Sequence, residues 1–154
     1  MNRSLNGRIV TRLQNVGSYT TTQTPSTGVD MKGLATAEIV VAIGAMTNTG
    51  GSPHQSWAFA LQHSDTSNAN FEAVVAADVV LDAGNNAGTL GAGGTFATVD
   101  AAAEDDAVYR VGYIGNKRYV RVVQTAANTP GATSIAVMVV GEPLLAPGVD
   151  TPDL

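Results

Sequence analysis

The chain has 154 residues, 44% of them hydrophobic and 14% charged, with a formal net charge of −5. That is enough for one domain with a real core and too few for two. Eight Lys and Arg against thirteen Asp and Glu exclude a protein that wraps nucleic acid, because neutralising phosphates takes clustered cations. The absence of cysteine excludes a disulfide framework, a thiolate metal site and a cysteine nucleophile.

The opening MNRSLNGRIVTRLQNV (Met1–Val16) lacks the apolar core, about 7–15 residues long, of a secretory signal. The longest strongly apolar run, Ile135–Val140, is far short of the roughly 20 residues of a membrane helix. The expectation is a soluble protein made in the cytoplasm, with no membrane and no nucleic acid among its partners. Residues 1–30 are polar and rich in Thr and Asn. They read as an extended N-terminal arm, within which Asn6–Val16 is compatible with a short helix or strand.

From Gly33 the pattern changes. In Ala35–Ala45, Ala37, Ile39, Val41 and Ile43 alternate with Glu38, Val40 and Ala42, so both faces are mostly apolar, as in a central strand. Met46–Gln55 carries the Gly, Pro and Asn of a loop. Ser56–Ser64 sets Trp57, Phe59 and Leu61 against Ala58, Ala60 and Gln62, a second strand. Asp65–Asn70 is a polar turn before a strand at Phe71–Val75. Asp82–Gly94 is glycine-rich, has little to bury, and reads as an exposed loop. Thr95–Asp100 is a short strand and Ala101–Asp106 an acidic turn. In Val108–Ile114, Tyr109, Val111 and Tyr113 share a face. Gly115-Asn116 is expected to turn the chain back as a hairpin into Arg118–Gln124, where Val120 and Val122 face inward. Thr133–Gly141 is the last strand. The tail holds three of the six prolines and cannot continue a sheet.

Seven or so short strands without an amphipathic helix predict an all-β fold, an antiparallel β-sandwich or barrel, jelly-roll-like. The expected divisions are an arm at 1–30, the β-domain at 31–141 and a proline-rich tail at 142–154.

Chemistry-bearing patterns are sparse. His54 and His63 lack the further ligands a zinc site needs, and both read as exposed polar residues. No G-x-S-x-G occurs. DTSNANFE, from Asp65, resembles a calcium loop only briefly. Its fifth position is Ala69, its sixth Asn70 and its twelfth Ala76, where oxygen, glycine and glutamate are required. Gly88–Phe96 lacks the Gly-Lys-Ser/Thr ending of a phosphate loop. No catalytic, cofactor or metal residue is assigned, and no enzymatic activity is expected. Trp57, Tyr109, Tyr113 and Tyr119 could form a sugar platform on a sandwich, but each falls in a strand that already needs a core face.

GYIGNKRYVRV (Gly112–Val122), the valine-rich strand after it and EPLLAP (Glu142–Pro147) together resemble a family of small structural proteins from the head-gene region of tailed bacteriophages and prophages. VDMKGLATAEIVVAIGA and FALQHSDTSNANFEAV fit the family's looser strand–turn–strand pattern. The glycine-rich loop and the polar arm depart from it. The resemblance implies a virion structural role beside the major capsid protein. The expectation is a capsid decoration (cement) protein on the exterior of the particle, a homo-oligomer (trimer or dimer) that clasps the lattice through its termini. The expected interface residues are Arg3, Arg8 and Arg12 in the arm and Pro143, Leu144, Leu145 and Pro147 in the tail. The alternative is a tail or fibre module binding a host receptor glycan.

Overall fold

The computed structural model describes residues 10–46, 54–82 and 89–143. They form two antiparallel sheets packed face to face, with no helix longer than a 3-10 turn. The ten strands are β1 (Val10–Tyr19), β2 (Val29–Asp30), β3 (Ala37–Ile43), β4 (Ser56–Ser64), β5 (Glu72–Ala73), β6 (Val79–Leu81), β7 (Thr95–Val99), β8 (Ala107–Tyr113), β9 (Tyr119–Ala127) and β10 (Thr133–Gly141). The first sheet, A, runs β1-β10-β3-β8-β6. The second, B, runs β2-β9-β4, with β5 and β7 both pairing the far side of β4. The sheets stay separate, so the fold is a sandwich and not a closed barrel.

Period-two burial builds this arrangement. Ala37, Ile39, Val41 and Ile43 of β3 face Trp57, Phe59 and Leu61 of β4 across the core. Tyr109, Val111 and Tyr113 of β8, Val120 and Val122 of β9, and Ile135, Val137 and Val139 of β10 complete it. All of these inward residues stand where the alternation places them. The core also takes Trp57, Tyr109 and Tyr113, the aromatics a sugar platform would need on the surface.

Three expectations are corrected. The first is the hairpin at Gly115-Asn116. β8 pairs with β3 and β6 in sheet A, whereas β9 pairs with β4 and β2 in sheet B. The Ile114–Arg118 connection is therefore a corner that carries the chain between sheets. Two strands whose inward faces are mostly apolar bury more by facing each other across a core than by lying side by side. The backbone amides of Ile114 and Gly115 both donate to the Asp78 carbonyl, at 2.8 and 3.1 Å, and hold the corner to sheet A.

The second correction concerns the arm. Val10–Tyr19 is a full edge strand, paired with β10 from Val10↔Gly141 to Tyr19↔Thr133. Val29–Asp30 pairs with β9, and Gln23 bridges Gln124. Residues 10–30 thus belong to the sandwich, and residues 1–9 lie outside the described segments. The alternation of β1 escapes a sequence reading because a bulge between Leu13 and Asn15 turns two successive residues, Gln14 and Asn15, to the inside. Leu13 and Val16 are left outside, 58% and 63% exposed.

The third is His63, read as exposed but 6% exposed in the fold. It stands in register with Trp57, Phe59 and Leu61 on the inward face of β4.

The tail keeps Glu142 and Pro143 within the described residues, where Pro143 bridges Leu34. Leu144, Leu145 and Pro147 lie outside them. Of the glycine-rich loop, residues 83–88 are outside as well. Its end closes as a 3-10 turn, with Gly93 and Gly94 at φ +68° and +82°.

Candidate assembly site

The Val10↔Gly141 pair sets the geometry of one end of the sandwich. Because β1 and β10 are antiparallel neighbours, residue 10 opens the ladder and residue 141 closes it at the same place. Ala37, Tyr113 and Val79 stand at this end of sheet A, and Tyr119 and Ser64 at this end of sheet B. The Ile114–Arg118 corner caps it.

A shallow cavity of about 650 Å³ opens here between the β2–β3 connection and the corner, its rim carrying Met31, Lys32, Leu34, Ile114, Lys117 and Arg118. The β2–β3 connection is fixed on both sides. Met31 donates its amide to the Arg118 carbonyl at 2.7 Å, and Ala35 donates to the Glu142 carbonyl at 2.8 Å. The last described residues, Glu142 and Pro143, therefore run beside the β2–β3 connection.

Paired charges line the rim. Arg118 grips Asp30 with two hydrogen bonds, Nε to Oδ1 at 3.0 Å and an Nη to Oδ2 at 2.8 Å. That forked bond holds the Asp30 carboxyl down at about 2 from its usual 3.8. Lys117 Nζ donates to Asp65 Oδ2 at 2.6 Å, which lowers the Asp65 carboxyl and raises the Lys117 ammonium. Arg121 is sheltered beside them. Its guanidinium lies 4.0 Å from the centre of the Phe71 ring and donates to Gln62 and to the Pro25 carbonyl.

Beneath the rim, His63 Nδ1 lies 3.0 Å from the Tyr113 hydroxyl, a bond from sheet B to sheet A. The Lys117 amide donates to the same hydroxyl at 3.0 Å, and burial pushes the Tyr113 phenol up. His63 Nε2 faces Glu72 at 3.6 Å and Asp78 at 4.0 Å. Among the described residues, no group of three or more His, Cys, Asp or Glu is arranged to hold a metal ion. This cluster ties the corner to both sheets. Sequence reasoning missed it, although the period of β4 places residue 63 on the core face.

Of the interface residues expected from the sequence, the described part contains Arg12 and Pro143, and both lie at this end. An Arg12 guanidinium nitrogen donates to the Lys32 carbonyl at 3.0 Å, so its side chain lies against the β2–β3 connection. Arg3, Arg8, Leu144, Leu145 and Pro147 fall outside the described residues.

The acidic turn has specific partners. Asp105 Oδ2 accepts from the Met46 amide at 2.7 Å, and Glu104 Oε2 accepts from the amides of Asp100 and Ala101. Among the described residues, no helix is long and apolar enough to cross a membrane.

A second surface is set apart by composition. The outward side chains of sheet A include Leu13 and Val16 of β1, Val40 and Ala42 of β3, Val80 of β6, Val108 of β8, and Ala136, Met138 and Val140 of β10. Arg110 and Glu38 pair within this face at 3.6 Å. The outward face of sheet B is mixed, bearing Gln62, Arg121 and Thr125 beside Ala58, Ala60 and Val123, and the Phe71 and Pro25 segments cover part of it. No family model, curated protein or solved structure matches the chain.

Proposed function

We propose that this protein is a bacteriophage virion structural protein, a decoration (cement) protein on the capsid exterior that oligomerises and ties neighbouring major capsid proteins together. The observation that carries this reading is the Val10↔Gly141 pairing. It brings the start and the finish of the described chain to one end of a rigid sandwich, where GYIGNKRYVRV forms the corner. The corner of that motif thus lies at the end of the sandwich where the described chain starts and finishes. Segments that depart together can engage one partner surface together, and repetition over a lattice makes modest single contacts effective through avidity.

The strand connectivity supports the same reading. Except from β4 to β5, successive strands pass between the sheets, and the orders β1-β10-β3-β8 and β2-β9-β4 followed by β5 and β7 support a jelly-roll reading of the sandwich, an architecture used in viral capsid and lectin domains. A glycan-binding tail module has less support, because Trp57, Tyr109 and Tyr113 are buried.

The test is the stoichiometry of purified particles, together with rebinding to stripped capsids. A copy number comparable with that of the major capsid protein supports decoration, whereas a small fixed number places the protein in the tail. Replacing Arg3, Arg8 and Arg12 with Ala should weaken rebinding and flatten its salt dependence, since rim charges act mainly on association. Equal rebinding of wild type and variant from low to high salt removes the arginines from the interface.

A further inference from the structure

The outward face of sheet A gathers most of the exposed large apolar side chains among the described residues. Each of its edge strands, and β8 beside them, exposes a large apolar side chain: Leu13 at 58%, Val16 at 63%, Val80 at 57% and Val108 at 55%. Between them run β10 and β3, whose outward side chains are apolar except for Ser134 and Glu38. Glu38 and Arg110 pair within it at 3.6 Å, and the Asp106 carboxylate borders its Gly44 end. Five strands at about 4.8 Å spacing and seven residues at about 3.3 Å rise give a footprint of roughly 550 Å² in projection. With side-chain relief this approaches the roughly 800 Å² per partner of a standard interface. Its extent is at the upper end of the roughly 300–600 Å² of a typical monomer's largest patch, which is often functional.

The relief of the face identifies its occupant. Outward from the Gly141 end, β10 presents Val140, Met138, Ala136 and Ser134, and the adjacent β3 presents Glu38, Val40, Ala42 and Gly44. Both strands go from large side chains to small ones in the same direction. The small end is hollowed into a depression of about 380 Å³ that includes Gly17, Ala42, Gly44, Ser134 and Ala136. A face that is high at one end and hollow at the other complements itself when a second copy is turned end for end. That rotation is the two-fold of an isologous dimer.

We propose that two copies of this chain pair through the outward faces of sheet A, related by a two-fold axis, with Met138 and Val40 of each copy seated over the Ala136–Ala42 hollow of the other. The pairing deepens the oligomer part of the proposed function by naming the surface and the symmetry. It stands on the shape of this face and does not depend on capsid attachment.

Sedimentation equilibrium tests it. Wild type should sediment at twice the 15.7 kDa chain mass. Leu13→Asp combined with Val108→Asp changes two exposed positions and should leave the circular dichroism spectrum unchanged. It should raise the dimer dissociation constant by about a hundredfold or more, since each copy would bury uncompensated carboxylates. The chain has no cysteine, so single cysteines report the orientation. A mixture of Val140→Cys and Ser134→Cys proteins should cross-link with a short bismaleimide far faster than either protein alone. A monomer or trimer at all concentrations, a folded double variant that dimerises like wild type, or preferential Val140→Cys self-cross-linking would each overturn the pairing. A dimer that fails to rebind capsids supports the pairing and removes the capsid reading alone.

Discussion

The side-chain amide of Gln14 hydrogen-bonds both backbone groups of Val122, donating from Nε2 to the carbonyl at 3.0 Å and accepting at Oε1 from the amide at 2.7 Å. Gln14 belongs to sheet A and Val122 to sheet B, so one side chain stands in for a missing strand neighbour. The rest of that edge of β9 is served similarly. Val29 pairs with Val120, Gln23 exchanges two backbone hydrogen bonds with Gln124, and Thr22 Oγ1 accepts from the Ala126 amide at 3.0 Å. An open strand edge is a template for aggregation, and here two short backbone pairings and the side chains of Gln14 and Thr22 occupy it.

Gln14→Ala should therefore cost about 1–3 kcal/mol, the penalty for leaving partly buried backbone groups without partners. Gln14→Glu can accept from the Val122 amide but, when ionised, cannot donate to its carbonyl, and should fall between the two. Urea denaturation checks both. Wild-type midpoints would show that water serves this edge equally well.

Tyr113→Phe removes the hydroxyl shared by His63 Nδ1 and the Lys117 amide while keeping the ring. A loss of about 1–2 kcal/mol is expected from the two unmade hydrogen bonds. The corner at Gly115 should become more open to proteolysis, because that hydroxyl anchors it to the core. Limited digestion followed by mass spectrometry gives the cleavage site.

The Asp30–Arg118 pair should show itself in acid. Asp30 titrates at about 2 in the folded chain against 3.8 ordinarily, chiefly through its hydrogen bonds to Arg118. A depressed carboxyl contributes stability that is fully present above its ordinary value and is lost as pH falls through its folded one. Wild type should lose more stability than Asp30→Asn between about pH 4 and pH 2, and the two should run parallel above pH 5. Both partners are well exposed, so the difference is modest and shrinks with added salt. Thermal melts across this range at two ionic strengths measure it.

Gly94 holds φ at +82°, and a Cβ there would sit 2.5 Å from the Leu61 carbonyl oxygen. Gly94→Ala should destabilise by at least about 2 kcal/mol, combining left-handed strain with a backbone clash. Gly93, at φ +68° with no atom within 4 Å of such a Cβ, meets the strain alone. Gly93→Ala should accordingly cost less, and a denaturant series on the two variants ranks them.

Val120→Asp places an unpaired carboxylate at a position 1% exposed, which costs several kcal/mol and should abolish folding. Val123→Asp, on the other face of the same strand, should fold. Near-native melting of the Val120 variant would reverse the assigned orientation of β9.

The sequence by itself determined the all-β class, the main strands of the core and the inward face of each, because alternation is a local property of the pleated backbone. It also held the inward position of His63, legible from the period of β4 and set aside because histidine is so often a surface residue. Only the tertiary structure decided which strand pairs with which. Tyr109 to Tyr113 and Val120 to Val122 carry the same inward pattern whether their strands lie side by side or face each other across a core. The choice depends on β3 and β4, distant in sequence, offering partners to each. The tertiary structure also decided the status of residues 10–30. A bulge in β1 broke the period there, and the polar side chains of that stretch are satisfied by β9, about a hundred residues away.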